Sequence, residues 1–342
     1  MDERCDAMLV TSPHNVRYLT GFTGSNGLAV VTEEDTWFFT DPRYTFQAAR
    51  EVTGRVKAVK GGLLEHAAAI VAKKKWRRLG IEQGQLTVER METLRCNSSK
   101  RQEFVCRGGT IEMLRMTKSD EELGAIRQSV DTNSKALDAA LRQFKPGVTE
   151  KELAAEIEYQ MRKLGAEKPS FDSIVASGEN SALPHARPSD QAIGKGTLLI
   201  DMGAFQNAYA SDMTRTFFVG SADKHAKRIY AAVLEAQLAA IAAVRPGVAA
   251  GKIDQVARKV LKKHGLDKAF MHSTGHGLGL EIHEPPRLGK KDKTRLEIGM
   301  AITIEPGAYV ENIGGVRIED VVVVTPKGCE ILTPTPKELR VL

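Results

Sequence analysis

The chain has 342 residues, 42% of them hydrophobic, enough to bury real cores and a length better served by two domains than by one. Against 49 basic residues stand 43 acidic ones, a net charge of +6 with a pI near 9.0, a bias too mild to imply nucleic-acid binding. Four cysteines without a CxxC pair read as free thiols in a reducing compartment. The start Met1-Asp2-Glu3-Arg4 lacks a signal-peptide core and no later segment has the length of a membrane span, so a soluble cytoplasmic protein is expected.

From residue 7 to 110, short β-type runs (Ala7 to Val10, Gly27 to Val31, Thr36 to Thr40) alternate with helical stretches such as Leu63 to Lys75, bounded by Gly and Pro. That pattern predicts a compact α/β domain. The basic run Lys73 to Arg78 follows the apolar stretch Ala67 to Ala72 and reads as a solvated helix end rather than a phosphate patch. At Met116 to Glu122 the pattern breaks, and Ser119 is placed to cap the helix that follows. A boundary there gives domains 1–115 and 120–342.

The second domain repeats itself. Lys145-Pro146-Gly147-Val148 recurs as Arg245-Pro246-Gly247-Val248, a separation of 246 − 146 = 100 residues. Each copy ends one amphipathic helix and precedes another, predicted over Glu152 to Leu164 and Ile253 to His264 and closed by Gly165 and Gly265. A histidine follows in each (His185, His283), although His283 shares its half with His272 and His276. An apolar strand then ends in an acid and a glycine: Asp201-Met202-Gly203 and Glu305-Pro306-Gly307. A second acid stands on the next strand, Asp212 and Glu319. Two such copies predict a pseudo-twofold domain, a curved and mostly antiparallel sheet covered by two helix pairs. Its axis would gather four carboxylates, which repel unless cations neutralise them.

On a strand over Ser211 to Val219, Asp212, Thr214 and Thr216 share one side and Met213 and Phe217 the other. Singly, Asp201 before Met-Gly or Glu305 before Pro-Gly reads as a turn residue. Together the duplicated acids accompany His272-Ser273-Thr274-Gly275-His276-Gly277-Leu278-Gly279, whose glycines permit positive φ or close backbone approach beside an imidazole. No Gly-Lys-Ser/Thr follows to support a phosphate loop. Four carboxylates and one imidazole form a hard, oxygen-rich set suited to Mn²⁺, Mg²⁺ or Co²⁺, with Zn²⁺ also able to bind. Two ions a few Å apart can share a water, lower its pKa and polarise the carbonyl it attacks.

These segments, with Ser211 to Thr216, Ile282-His283-Glu284 and Gly315 to Asp320, resemble in order the signatures of the pita-bread metallopeptidases, which include methionine aminopeptidases, prolidases and aminopeptidases P. Asn15 to Gly24 and Thr40 to Tyr44 resemble the creatinase-like N-terminal domain of the Xaa-Pro branch. The resemblance implies an α+β protein: a C-terminal pita-bread domain preceded by a smaller α/β domain. It assigns Asp201, Asp212 and Glu319 to one metal ion and Asp212, His276, Glu305 and Glu319 to the other, with Mn²⁺ expected and Co²⁺ or Zn²⁺ as alternatives. It places His185 and His283 beside the substrate as oxyanion donors, and His272 and Arg317 in the substrate site. Glu305 is the implied proton shuttle. His66, His225 and His264 fall outside the motifs and read as surface or helix residues.

The expected activity is release of the residue before proline from short peptides whose second residue is proline, by an aminopeptidase. The alternative is a strict Xaa-Pro dipeptidase, which must hold the free carboxylate of proline; Arg287, Arg295 and Arg317 are available for that. His14 precedes the N-terminal motif, in a domain that in this family leans over the partner subunit's active site, so the resemblance also implies a homodimer. Metal-free creatinase-type hydrolysis and a non-catalytic peptide-binding module are disfavoured by the intact ligand set.

Overall fold

The computed structural model describes residues 4–145 and 147–342; the acidic start Met1-Asp2-Glu3 and Pro146, the proline of the first repeat copy, lie outside the described residues. The chain divides into two compact units, one up to Arg115 and one from Met116 to Leu342. Among the described residues no helix is long and apolar enough to cross a membrane.

The first unit runs β1 (Ala7–Val10), α1 (Pro13–Thr20), β2 (Gly27–Val31), β3 (Thr36–Thr40), α2 (Thr45–Glu51), β4 (Arg55–Ala58), α3 (Leu63–Lys74), β5 (Arg78–Glu82), α4 (Val88–Cys96), β6 (Glu103–Arg107) and α5 (Thr110–Met116). The strands form one mixed sheet in the order β4-β3-β2-β1-β5-β6. Side chains alternate between its faces. Leu9, Leu28, Val30 and Phe39 join one apolar cluster with α3, while their neighbours Val10, Ala29 and Phe38 join another with Val16 of α1. Helix α3 stops one residue before its apolar pattern predicts, because Lys75 takes a left-handed conformation with φ of 59°.

In the second unit, α6 (Asp120–Gln143) starts from a capping box between Ser119 and Glu122, as that polar stretch predicts. Helix α7 (Glu150–Lys163) starts from a second box between Thr149 and Glu152. There follow β7 (Lys168–Pro169), β8 (Ile174–Ser177), β9 (Gly196–Met202), β10 (Ala204–Gln206), β11 (Tyr209–Ala210) and β12 (Met213–Val219). The second copy opens with α8 (Lys224–Ala243) and α9 (Ala250–Lys263). It continues with β13 (His276–Gly277), β14 (Glu284–Arg287), β15 (Ala301–Ile304), β16 (Gly307–Val310), β17 (Gly314–Arg317), β18 (Asp320–Thr325) and β19 (Gly328–Ile331). Helices α7 and α9 begin before their apolar periodicity does, because their first turns are polar or small and carry no periodic signal.

Each helix pair covers its own hairpin. Leu137 of α6 and Ile157 of α7 pack on Leu198 and Ile200 of β9 and on Met213 and Phe217 of β12. In the second copy, Val233 of α8 and Ile253 of α9 pack on Ile302 and Ile304 of β15 and on Val322 and Val324 of β18. Burying one such side chain stabilises by about 1.5–3 kcal/mol relative to exposure, so these stripes hold each copy together. Gly165 and Gly265 end the helical segments at φ of 110° and 74°, conformations open to glycine. The strand pairs here are antiparallel, but they form four separate hydrogen-bonded groups, including β12-β9-β8 and β14-β13-β15-β18-β19. The copies meet where the Glu319 N–H donates to Thr214 O at 3.1 Å and Thr216 Oγ1 donates to Arg317 O at 2.9 Å.

Candidate metal centre and active site

In the first copy, β9 and β12 pair with Asp201 opposite Thr214. A Cβ on Gly203 would lie 2.1 Å from Ser211 O, so only glycine lets the chain turn back this tightly after the acid. Asp212 lies one residue before β12 and is buried. Thr214 and Thr216 face the second copy while Met213 and Phe217 enter the apolar cluster, as strand alternation requires.

In the second copy the glycines beside His276 serve close approach alone. A Cβ on Gly275 would lie 2.0 Å from Thr303 O, and one on Gly277 would lie 2.2 Å from Pro285 O; neither has positive φ. His276 Nδ1 lies 2.9 Å from Gly277 O. A carbonyl can only accept, so Nδ1 carries the proton and, in the neutral ring, Nε2 presents a lone pair. Nε2 lies 3.5 Å from both Asp212 Oδ2 and Glu305 Oε1. Ligand-type atoms of Asp212, His276 and Glu319 all fall within 4.8 Å of one another.

The acids are not at ease with each other. Asp212 is pushed well above the usual carboxylate range by burial, then by Asp201 and Glu305; Glu319 is pushed the same way by burial, then by Asp212, Glu305 and Asp201. Burial also raises Glu305, against the pull of His276 and Arg317. Two carboxylates keep one oxygen on the protein and leave the other buried without a partner. Asp201 Oδ2 accepts from Arg317 at 2.6 Å while Oδ1 has none, and Glu319 Oε2 accepts from Thr214 at 2.7 Å while Oε1 has none. A buried, unsatisfied acceptor costs about 1–3 kcal/mol, and cations answer both that and the repulsion. The residues present therefore fit divalent metal ions.

These groups line a cavity of about 910 Å³, shared with His185, His272, His283, Arg187, Arg287 and Asp172. His283 is exposed to the cavity, its ring centroid 4.4 Å from that of His276; burial and then His276 lower its pKa. His185 is exposed on the opposite copy's loop. His272 is lowered to about 4 by burial and then Arg317, which keeps its ring neutral. Its Nδ1–H donates to Ser273 O at 2.8 Å, so Nε2 accepts from the Tyr309 hydroxyl at 2.9 Å. Both nitrogens of His272 are thus committed to the protein.

The three arginines separate. Arg317 lines the cavity, but its guanidinium serves Asp201, Thr214, Tyr309 and the Pro184 carbonyl. Although burial opposes it, the charges of Tyr309, Asp201 and Glu305 raise Arg317 well above its ordinary pKa. It is an electrostatic partner of the carboxylates, where the resemblance implied a substrate contact. Arg295 is spent on Gly247 O at 2.7 Å and is not among the cavity residues. Arg287 is exposed at the cavity wall, and among the described residues its guanidinium makes just a long 3.4 Å contact from Nε to Ser273 Oγ.

Several residues that sequence reasoning passes over support this site. Arg215 shares strand parity with Met213 and Phe217 yet is buried, donating to Thr214 O, to Glu319 O and, at 2.7 Å, to Asp320 Oδ1. Tyr309 joins Arg317 to His272, with its hydroxyl pKa pushed up to about 12 mainly by burial. Lys118 and Glu284 form a buried ion pair at 3.1 Å beside His283. Arg215 and Glu284 lie inside motif segments and Tyr309 just after one, but the segments do not say which positions support the site.

The Peptidase_M24 family model, described as metallopeptidase family M24, matches residues 124–326, and that for the creatinase/prolidase N-terminal domain matches 1–117. The chain is 41% identical to an Xaa-Pro dipeptidase of Pyrococcus furiosus over 99% of its own length and 97% of that protein's. It is similar to the solved structures of an Xaa-Pro dipeptidase from Bacillus anthracis (TM-score 0.96, 39% identity, 99% and 95% coverage) and an X-Pro aminopeptidase from Thermotoga maritima (TM-score 0.93, 35% identity, 99% and 98% coverage).

Proposed function

The chain belongs to metallopeptidase family M24, with a creatinase N-terminal domain ahead of a pita-bread domain, and from that premise we propose that it is a dinuclear Xaa-Pro dipeptidase, a prolidase. Relatives named as Xaa-Pro dipeptidases support this over the aminopeptidase reading that sequence alone favoured. The observation that carries the choice is Arg287: of the three arginines named from the sequence, it is the one exposed at the cavity wall whose side chain makes no short bond among the described residues, and it stands on the wall with the exposed Arg187. A guanidinium there can take the free carboxylate of a C-terminal proline in two parallel hydrogen bonds, and a longer peptide offers no carboxylate at that point.

Asp201, Asp212 and Glu319 would hold one divalent ion and Asp212, His276, Glu305 and Glu319 the other, with Mn²⁺ proposed and Co²⁺ or Zn²⁺ as alternatives. When bound, such ions polarise the scissile carbonyl and acidify water. Glu305 would carry a proton to the leaving proline nitrogen, since a carboxylate beside the attacking water can pass on the proton it takes up. His185 and His283 approach from opposite copies and donate hydrogen bonds to the carbonyl oxygen as negative charge develops there. His272, fixed by Ser273 and Tyr309, shapes the wall of the substrate pocket. We assign residues 1–115 to the N-terminal domain and 120–342 to the catalytic domain, and propose a cytoplasmic homodimer, to be checked by light scattering.

The test compares Ala-Pro with Ala-Pro-Ala on Mn²⁺-loaded protein and on Arg287→Met. Cleavage of the dipeptide alone, with KM raised in Arg287→Met, is the expected result. Comparable cleavage of the tripeptide by both proteins would make the enzyme an aminopeptidase. Failure on both substrates with all three metals would end the peptidase reading.

A further inference from the structure

His185 meets the cavity from a loop, and among the described residues no hydrogen bond or ion pair holds its exposed side chain. The loop's placement comes from Glu150, the first residue of α7, which is fully buried. Its Oε1 accepts from the Ser177 N–H at 2.6 Å and Ser177 Oγ at 3.0 Å. Its Oε2 accepts from Asn180 Nδ2 at 2.8 Å, the Ser189 N–H at 3.0 Å and Ser189 Oγ at 2.7 Å. Ser177 and Asn180 precede the Pro184-His185 pair and Ser189 follows it, so one carboxylate ties both ends of the loop to the start of a rigid helix.

That arrangement exceeds what a helix start needs. Thr149 and Glu152 already cap α7, and an acid at the first helical position acts on the dipole from solvent as well as from within. Burying it sets a desolvation cost against five donors, so the loop geometry is bought with charge. The second copy supplies an independent comparison. The residue 100 positions on is Ala250, while the buried acid sits one helical turn further along, at Asp254. Asp254 Oδ1 accepts from the Thr274 N–H and Oγ1, and with Arg258 it holds the backbone that bears His272 and His276. In both copies, then, the second helix carries a buried acid, and its position along the helix differs with the histidine segment it holds.

We propose that Glu150 is a positioning residue, setting His185 at the distance from the scissile carbonyl where its hydrogen bond forms in the transition state. The proposal rests on the peptidase reading for its kinetic consequence, though not for its structural one. In Mn²⁺-loaded Glu150→Gln, an amide donor faces donors where an acceptor stood. The kcat for Ala-Pro is expected to fall roughly tenfold or more, since misplacement of about an ångström has effects of that order. KM and Mn²⁺ affinity by calorimetry should change little. In a His185→Ala background the same change should have no further effect. In histidine-labelled protein the His185 imidazole resonances should shift or broaden while those of His225 and His264 stay fixed.

Equal losses in the two backgrounds, or parallel loss of Mn²⁺ affinity, would make Glu150 a general scaffold residue and overturn the proposal. So would unchanged His185 resonances in a folded variant. Should Glu150→Gln fail to fold, Ser189→Ala removes one donor from the same carboxylate and must give a smaller effect of the same kind, again absent in His185→Ala. If wild type cleaves no Xaa-Pro peptide the functional reading fails by itself, and the resonances still decide whether Glu150 places His185.

Discussion

Removing one carboxylate from the centre should stabilise the metal-free protein. Asp212 and Glu319 present oxygens within 4.8 Å of each other in a buried site. At an effective dielectric constant near 20, two ionised groups at that distance repel by about 3 kcal/mol, and partial protonation reduces what is realised. Asp212→Asn should therefore gain roughly 1–3 kcal/mol at pH 8 in excess chelator, which for a domain of this size is about 2–4 °C in Tm per kcal/mol. The sign follows from linkage. Both acids are raised in the folded state, so below the unfolded pKa near 4 they cost nothing, and the penalty grows as pH rises above it. The gain should fade towards pH 4. With Mn²⁺ present the order reverses, because the variant has lost a ligand. Calorimetric scans at pH 4, 6 and 8, with and without Mn²⁺, measure all of this. A metal-free Asp212→Asn that is less stable than wild type at pH 8 would refute the account of a repulsive centre awaiting cations.

Lys118→Met removes the cation of the buried Lys118–Glu284 pair and should cost roughly 3 kcal/mol by urea denaturation, part of which Lys118→Met/Glu284→Gln restores; an unchanged midpoint would count the pair as inconsequential. Gly275→Ala should lower Mn²⁺ affinity roughly tenfold or more in calorimetric titration, since its Cβ meets the Thr303 carbonyl and must displace the backbone beside His276; wild-type affinity would contradict that geometry. His272 is held neutral down to about 4 against an ordinary 6.5, so the unfolded chain takes up a proton first and stability falls as pH drops from 6.5 to 4, by up to roughly 3 kcal/mol. In His272→Asn that component is absent, and its Tm should decline less than wild type's over this range.

What could be read in advance was whatever has a local period or a local motif. The alternation Leu28, Ala29, Val30 and Phe38, Phe39 settles into two opposed clusters, and the repeat-borne acids converge as duplication demands. Edges were less legible: Asp212 falls one residue outside its strand, and α7 and α9 start early. The glycines around His276 announce an unusual backbone, yet sequence cannot say whether close approach or positive φ requires them. Glu150, Asp254 and Lys118 escape altogether, and Arg215 gives no hint of its role although it lies within a motif. A charged residue in a helix, strand or short connection looks solvated until the fold brings a partner from 20 or more residues away, such as Thr274 for Asp254, Asp320 for Arg215 and Glu284 for Lys118. The choice of arginine fails for the same reason, since only tertiary structure spends Arg317 and Arg295 elsewhere.

The seam between the copies, where the Glu319 N–H meets Thr214 O, bears on how long the folded state lasts. The ligand candidates are divided across it, Asp201 and Asp212 on one side, His276, Glu305 and Glu319 on the other. An ion held by both sides would add to the hydrogen bonds and the buried Arg215–Asp320 and Arg317–Asp201 pairs that already join the two halves. A bound ion would have to be released before the seam could open fully, so loading would act chiefly on the unfolding rate. Metal-replete protein should thus survive hours of protease or heat that the stripped protein does not, a durability set by a barrier more than by an equilibrium.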